Sequence, residues 1–158
     1  MLLLKNLLFT LLVPGTAGVL IPLRIAAARR IPAPTTEAGS IVGLVLLAAG
    51  AAGYFWCLWE FAVTGRGTPA PIDPPRHLVV RGPYRFVRNP IYVSAVAVVL
   101  GWAAYFHSTE VFLYAIVLAG AFHFFVTAVE EPTLQHKFGD SYTHYRHTVR
   151  RWLPTRPS

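Results

Sequence analysis

Four long apolar stretches, nearly free of charged residues, constrain this chain more than any other feature. They are Leu7–Leu23, Ile41–Val63, Ile91–Phe106 and Val111–Val129. A helix needs about 20 apolar residues to cross the hydrocarbon core of a bilayer. Charged residues make up only 13% of the chain and hydrophobic residues 54%, whereas a soluble domain has about 25% charged residues. The pattern predicts an all-α polytopic membrane protein with about four transmembrane helices.

The first apolar stretch has two interpretations. Lys5, the apolar run after it and the small residues of Ala26–Ala28 are typical of a cleaved signal peptide. A single cation placed after three leucines is a weak start for such a peptide, which favours a retained helix. Pro14 is then expected to kink that helix, because proline removes a backbone donor and clashes one turn back.

The third and fourth stretches are separated only by His107–Glu110, which predicts an antiparallel helical hairpin. The segments that flank this hairpin must then lie on one side of the membrane. Both segments are rich in arginine, and the positive-inside rule places them in the cytoplasm. Arg24, Arg29 and Arg30 would then lie outside, unless the first segment is re-entrant or distorted.

We therefore expect one membrane domain, residues 1–158, in a bacterial cell membrane with its loop and tail facing the cytoplasm. Its parts are the N-terminal helices (1–63), a loop (64–90), the helical hairpin (91–129) and a cytosolic tail (130–158). In the tail, Gly139 is expected to end the preceding helix, Asp140 to cap a new helix and Pro154 to end it. One apolar face along this helix predicts an amphipathic segment, either lying at the interface or closing over a cofactor: Leu134, Phe138, Tyr142, Tyr145, Val149 and Trp152.

Composition also excludes several kinds of site. The net charge of +7 does not indicate nucleic-acid binding, because no soluble domain is left to bind it. Cys57 is the single cysteine, so we expect a packing residue and no intrachain disulfide. The six histidines show no metal-binding spacing, so no metal is expected. His123, which lies within an apolar stretch, is expected to hydrogen-bond between helices.

Two motifs in the second half of the chain resemble the signatures of a known group of enzymes. The loop contains Leu78-Val79-Val80, Gly82, Tyr84 and Arg88-Asn89-Pro90-Ile91-Tyr92. The tail contains Glu130-Glu131-Pro132-Thr133-Leu134, Phe138-Gly139, Tyr142, Tyr145 and Val149 to Pro154. In this order, with a hairpin between them, they resemble the integral-membrane methyltransferases of the isoprenylcysteine carboxyl methyltransferase and phospholipid methyltransferase group. The resemblance covers residues 68–154.

The resemblance implies methyl transfer from S-adenosylmethionine to a lipid or other lipophilic acceptor, with S-adenosylhomocysteine as product. It implies that the cofactor is held between the loop, the ends of the last two helices and the tail. Arg88 and Glu130 are then expected to act in catalysis. The residues expected to bind the cofactor are Arg76, His77, Leu78, Val79, Tyr84, Asn89, Pro90, Ile91, Tyr92, Glu130 and Glu131.

The chemistry of the methyl donor is consistent with these residue types. A sulfonium is cationic, and tyrosine rings such as Tyr84 and Tyr92 attract cations. A carboxylate of the Glu130-Glu131 pair suits the donor's ammonium, and Arg88 or Arg85 suits its carboxylate. A glutamate pair at the end of a span is also unfavourable for the helix dipole, which favours a functional role.

Two departures from the group leave other functions open. Asn89 stands where better-known members have histidine, and its amide cannot titrate. Phe125–Val129 has no cation where the members that methylate protein carboxylates carry an arginine, which disfavours a prenylcysteine carboxylate as substrate. The alternatives are a non-catalytic membrane scaffold of the same fold and a steroid-reductase-like enzyme that binds NADPH through the loop arginines. The acceptor and the oligomeric state stay open.

Overall fold

The fold is taken from a computed structural model that describes residues 10, 12–31, 38–65 and 76–155. Every regular element within these ranges is helical. Three of the helices contain a π-helical turn, at Thr16–Leu20, Phe61–Gly65 and Val126–Glu130. The helices are α1 (Thr16–Ala28), α2 (Ala38–Gly65), α3 (Pro90–Tyr105), α4 (Thr109–Phe138) and α5 (Asp140–Thr148), with a short 3₁₀ turn at Gly82–Arg85 between α2 and α3.

Two helices in the described part of the chain are long and apolar enough to cross a membrane, fewer than the four predicted. They are α2, with 28 residues, and α4, with 30 residues. The helices α1 and α3 are apolar but shorter. Pro90 begins α3 and the turn after Tyr105 ends it, so its 16 residues rise only about 24 Å. The predicted role of Lys5 and most of the glycine- and proline-rich start of the loop lie outside the described residues.

Glycines hold α2 and α3 in close antiparallel contact. A Cβ atom on Gly43 would lie 2.5 Å from the backbone nitrogen of Tyr105, and one on Gly50 would lie 2.8 Å from the carbonyl oxygen of Ser94. Gly101 of α3 faces Gly43 in turn. Small residues let helix backbones approach this closely in a membrane, so α3 is packed along the length of α2.

The predicted hairpin between α3 and α4 is confirmed. The Ser108 hydroxyl accepts a hydrogen bond from the Val111 amide at 3.2 Å and so caps α4. At this turn the Arg29 side chain forms an ion pair with Glu110 at 3.4 Å. A π-helical turn at Thr16–Leu20 interrupts α1 shortly after Pro14, and the kink itself stays a prediction. Arg29 lies at the hairpin-turn end of the bundle.

The boundary between the last long helix and the tail differs from the prediction. The helix α4 does not end at Val129 but continues through Glu130 and Glu131 to Phe138. The expected conflict between the glutamates and a helix end is therefore wrong, because both lie inside the helix. Gly139, with φ of +52°, ends α4 as predicted.

The helix α5 is shorter than the sequence pattern suggested. It begins at Asp140, and its N-cap residue is Gly139, so the capping role predicted for Asp140 is wrong. It ends at Thr148, because Val149 is already extended, and Pro154 is not what stops it. Its amphipathic character is confirmed, since Tyr142 and Tyr145 are buried in one cluster with Val149. Trp152 lies beyond the helix.

Candidate active site

The tail runs along the loop that precedes α3. The backbone amide of Arg88 donates to the carbonyl oxygen of Arg150 at 2.9 Å, and the amide of Thr155 donates to the carbonyl oxygen of Phe86 at 2.7 Å. We call residues 76–90 and 149–155 together the loop–tail junction. The loop and the tail therefore lie together at one end of the bundle, and their side of the membrane stays a prediction.

Glu131 fixes this junction through two arginines. Its carboxylate accepts two hydrogen bonds from Arg151, at 2.7 and 2.8 Å, and forms an ion pair with Arg88 Nη1 at 3.1 Å. The Asn89 amide nitrogen donates to the carbonyl oxygen of Arg151 at 3.2 Å. The hydrogen bonds to Glu131 raise the pKa of Arg151. Glu131 and Asn89 thus hold the tail in place, and the Asn89 amide does so without a titrating group.

Arg88 has hydrogen-bonding capacity to spare. Its side chain is only 10% exposed, and within the described residues its Nε atom has no hydrogen-bond partner. Nη1, although close to Glu131, makes no hydrogen bond of good geometry. Because a buried donor without a partner costs about 1–3 kcal/mol or more, this guanidinium is suited to an anionic ligand.

Glu130 points to a different partner from its neighbour in the chain. The Tyr92 hydroxyl donates a hydrogen bond to Glu130 Oε2 at 2.7 Å, and the Tyr92 ring packs against Phe122 with centroids 4.8 Å apart. Glu130 is the last residue of the π-helical turn Val126–Glu130, and such turns are frequent at functional sites. The two adjacent carboxylates therefore face a tyrosine on α3 and the arginines of the junction, respectively.

Tyr84, in the 3₁₀ turn of the loop, is buried in a small apolar cluster. It is packed with Cys57 and Val79, and the ring of Phe61 meets it edge-on at 5.6 Å. Burial raises the pKa of Tyr84 well above its usual range, with smaller contributions from Cys57 and Glu130. Its buried hydroxyl has no hydrogen-bond partner in the described part of the chain. The packing role predicted for Cys57, which is fully buried, is confirmed.

The remaining predicted residues are less closely grouped. Pro90 is buried at the first position of α3, and Ile91 packs against the Tyr84 cluster. Leu78 packs instead against the tyrosines of α5. The side chains of Arg76 and His77 are exposed, and the backbone amide of Arg76 donates to Gly65 at 2.8 Å.

An apolar groove of about 400 Å³ opens between α3 and α4 beside the Tyr92–Glu130 pair. Tyr92 lies at one end of the groove, and the indole of Trp152 from the tail borders it. The other lining residues are Val93, Val96, Ala97, Leu100, Ala119, Phe122 and His123. Its volume is within the range of small-molecule pockets, and its lining suits an apolar chain.

Comparison with known proteins agrees with the motifs. Residues 38–141 match the phospholipid methyltransferase family, a range that runs from the start of α2 into α5. This chain belongs to the phospholipid methyltransferase family. An uncharacterized protein from Haemophilus influenzae is similar to it, with 35% identity over 63 residues, which are 40% of this chain and all of that protein. No solved structure matches.

The sequence did not predict the contacts that Arg151 and Trp152 of the tail make in this phospholipid methyltransferase family member. Arg151 lies 20 positions from Glu131 in the chain, and no local pattern marks such a pair. The indole of Trp152 donates to the imidazole of His123 at 3.1 Å. The prediction that His123 would hydrogen-bond between helices is wrong, because its partner lies in the extended tail.

Proposed function

We propose that this protein transfers a methyl group from S-adenosylmethionine to a lipophilic acceptor at the membrane. Membership of the phospholipid methyltransferase family, over residues 38–141, carries the proposal. When bound, S-adenosylmethionine supplies an electrophilic methyl group, which a nucleophile of the acceptor takes as the sulfonium becomes the thioether of S-adenosylhomocysteine. The protein's own tasks are to bind, to orient and to exclude water.

The buried polar groups fit the methyl donor. The donor's carboxylate suits Arg88, whose Nε lacks a partner among the described residues. The donor's ammonium suits the carboxylate of Glu130, and its sulfonium suits the ring of Tyr92. The Tyr92 hydroxyl already donates a 2.7 Å hydrogen bond to Glu130. Tyr84, whose buried hydroxyl has no hydrogen bond of good geometry among the described residues and lies beside the Cys57 thiol, provides a second ring and a donor. Charge-assisted hydrogen bonds are about twice as strong as neutral ones, so Arg88 and Glu130 are the residues we assign to the chemistry.

The remaining predicted cofactor residues have supporting roles in this proposal. Pro90 and Ile91 start α3 and so place Tyr92. Glu131 and Asn89 hold the tail against the loop. Val79 and Leu78 anchor the loop in two apolar clusters. Arg76 and His77 are exposed, and we assign them to the solvent-facing side of the adenosine.

The acceptor enters from the bilayer through the groove between α3 and α4. Its apolar lining ends at Tyr92, so an apolar chain in the groove brings its polar head to the Tyr92–Glu130 pair. Water is excluded on that side by apolar side chains, and the tail covers the other. No titrating histidine is needed, because methyl transfer depends on the alignment of the acceptor with the methyl group and on the exclusion of water, rather than on acid–base catalysis.

We place the whole chain in the membrane as one domain. The short helix α3 is packed along α2 through its glycines, so both lie at the same depth, and α1 contacts α4 through the Tyr114 hydroxyl and the Ala17 carbonyl, 2.9 Å apart. Four helices are then embedded, although two of them are short. Arginines 81, 85, 88, 146, 150 and 151 are concentrated at the loop–tail end, which the positive-inside rule assigns to the cytoplasm of a bacterial cell.

Isothermal titration of the detergent-solubilised protein with S-adenosylmethionine tests the proposal. We expect binding by the wild type and at least tenfold weaker binding by Glu130→Gln. Arg88→Lys keeps a cation beside Glu131 but loses Nε, so it should also weaken binding. The matched control, Glu110→Gln, alters a carboxylate at the opposite end of α4 and should bind as the wild type does.

The outcomes separate the alternatives. Absence of S-adenosylmethionine binding by the wild type would sink the proposal, and binding of NADPH instead would favour a reductase. Binding of the donor without turnover of labelled methyl groups into any extracted membrane lipid would favour a non-catalytic scaffold.

A further inference from the structure

His123 is a polar residue that the proposed reaction does not use. It lies on α4 and is exposed, between the exposed side chains of Phe124 and Phe125 and the groove. A polar side chain on the lipid-facing part of a membrane helix is unfavourable unless it has a partner or a function. Its position on the groove wall makes a function at the groove the question to ask.

The partner of His123 comes from outside the helices. Trp152 Nε1 donates a hydrogen bond to His123 Nδ1 at 3.1 Å, and the two rings lie 6.0 Å apart. An indole nitrogen can only donate, so His123 must accept at Nδ1 and carry its proton on Nε2. The bond is therefore directional and specific, and it would be lost with any side chain that lacks an acceptor at this position.

The loop–tail junction holds Trp152 where it can make this contact. Its neighbour Arg151 is fixed by two hydrogen bonds to Glu131 and by the Asn89 amide. His123 precedes Glu130 by about two helical turns, or roughly 10 Å. The indole therefore extends from the polar junction along the exposed side of α4, over the groove wall.

We propose that the Trp152–His123 hydrogen bond is a latch across the side of the groove, and that it holds an alkyl chain of the lipophilic acceptor in place. The inference rests on the proposed function and adds a positioning pair to it. The groove is apolar, opens next to exposed side chains such as Val93, and ends at the polar Tyr92. An alkyl chain attached to a polar head is the occupant whose chemistry matches both ends.

The alanines of the groove explain why a latch is needed. Ala97 of α3 and Ala119 of α4 leave the space between the helices unfilled, so the helices alone do not enclose a chain. Trp152 supplies the large apolar surface that they lack. Its indole and the chain would pack together, and the bond to His123 would keep the indole over the chain.

The test uses palmitoyl-lysophosphatidylethanolamine, which has one chain and one amine, with retention measured by native mass spectrometry of the full-length protein. We expect His123→Leu and Trp152→Phe to weaken retention roughly three- to tenfold, the range for loss of one hydrogen bond. His123→Asn, which places an amide oxygen near the position of Nδ1, should retain the probe within twofold of the wild type. Phe124→Leu, on the neighbouring exposed position, should match the wild type.

Two further measurements make the result specific. Glycerophosphoethanolamine, which has the head but no chain, should bind equally to all variants, because the latch acts on the chain. The affinity for S-adenosylmethionine should be unchanged in every variant. If the wild type does not bind S-adenosylmethionine, the proposed function is refuted, whereas the latch is still tested by the binding of the alkyl chain. Wild-type retention no better than that of His123→Leu would overturn the latch, as would no retention by the wild type. If Trp152→Phe fails to fold, the contrast between His123→Leu and His123→Asn decides.

Discussion

Substitution by glutamine should lower the stability of the protein at Glu131 and its affinity for S-adenosylmethionine at Glu130, although the two glutamates are adjacent in α4. Glu131 is 8% exposed and balances Arg88 and Arg151, whereas Glu130 is bonded to the neutral hydroxyl of Tyr92. Glu131→Gln leaves Arg88, itself 10% exposed, without a counter-charge. Breaking a buried pair costs about 3–5 kcal/mol, and the partial exposure of Arg151, at 29%, favours the lower figure.

The loss of unfolding free energy in Glu131→Gln can be converted into a change in melting temperature. At about 2–4 °C for each kcal/mol in a chain of this size, roughly 3 kcal/mol lowers the melting temperature by about 6–12 °C. Glu130→Gln retains an amide oxygen that accepts from Tyr92, so its stability should change by less than about 1 kcal/mol, while its affinity for S-adenosylmethionine falls.

Both properties can be measured on the same purified proteins, by thermal unfolding in detergent and by titration with S-adenosylmethionine. Arg150→Gln is the control, because it alters an exposed side chain and keeps the backbone carbonyl that Arg88 uses; surface changes cost within about 0.5 kcal/mol. The double variant Glu131→Gln/Arg151→Gln should be less destabilised than the sum of the single changes, by at least about 1 kcal/mol. A melting temperature for Glu131→Gln within 2 °C of the wild type, or additive single changes, would refute this account of the junction.

Three further predictions concern stability. Gly43→Ala should destabilise by about 1–3 kcal/mol, because its Cβ would lie 2.5 Å from the backbone of α3. Gly120→Ala, with nothing within 4 Å, should be neutral or stabilising by up to about 1 kcal/mol; equal melting temperatures for the two variants would contradict this. Tyr145→Phe removes a buried hydrogen bond of 2.7 Å to the Tyr84 carbonyl and should cost about 1 kcal/mol, seen as a lower melting temperature. Burial raises the pKa values of Tyr84, Tyr142 and Tyr145, so only the unfolded chain ionises them near pH 10; these tyrosines should lower the stability as the pH rises above about 10, and a melting temperature unchanged between pH 9 and pH 11 would argue against it.

Much of the fold follows from the pattern of apolar residues. The hairpin at residues 107–110 and the break at Gly139 could be predicted because a turn and a left-handed glycine leave local signals. The apolar stretch ends at Val129, but the stop predicted at Gly139 already implied that the helix continues through the polar run to Phe138. A helix that emerges from a bilayer need not change its backbone when its side chains become polar.

The candidate site was predictable in its residue types but not in its pairings. The motif brought Tyr92 and Glu130 into one hypothesis, and the structure adds that they are hydrogen-bonded. The different partners of Glu130 and Glu131 could not be predicted, because they come from α3, the loop and the tail, which are distant in the chain. The contacts of Arg151 and Trp152 join residues 20 or more positions apart, and they depend on where α5 ends.

The glycine seam between α2 and α3 has a consequence for how the bundle can move. Backbone meets backbone there, at Gly43 and Gly101, so no flexible side chain is available to absorb a displacement of α3. On its other side α3 meets α4 across alanines and an open groove. The bundle is therefore tightly packed on one flank of α3 and open on the other, and if the proposed acceptor enters through the groove, we expect α4 to move against a fixed α2–α3 pair.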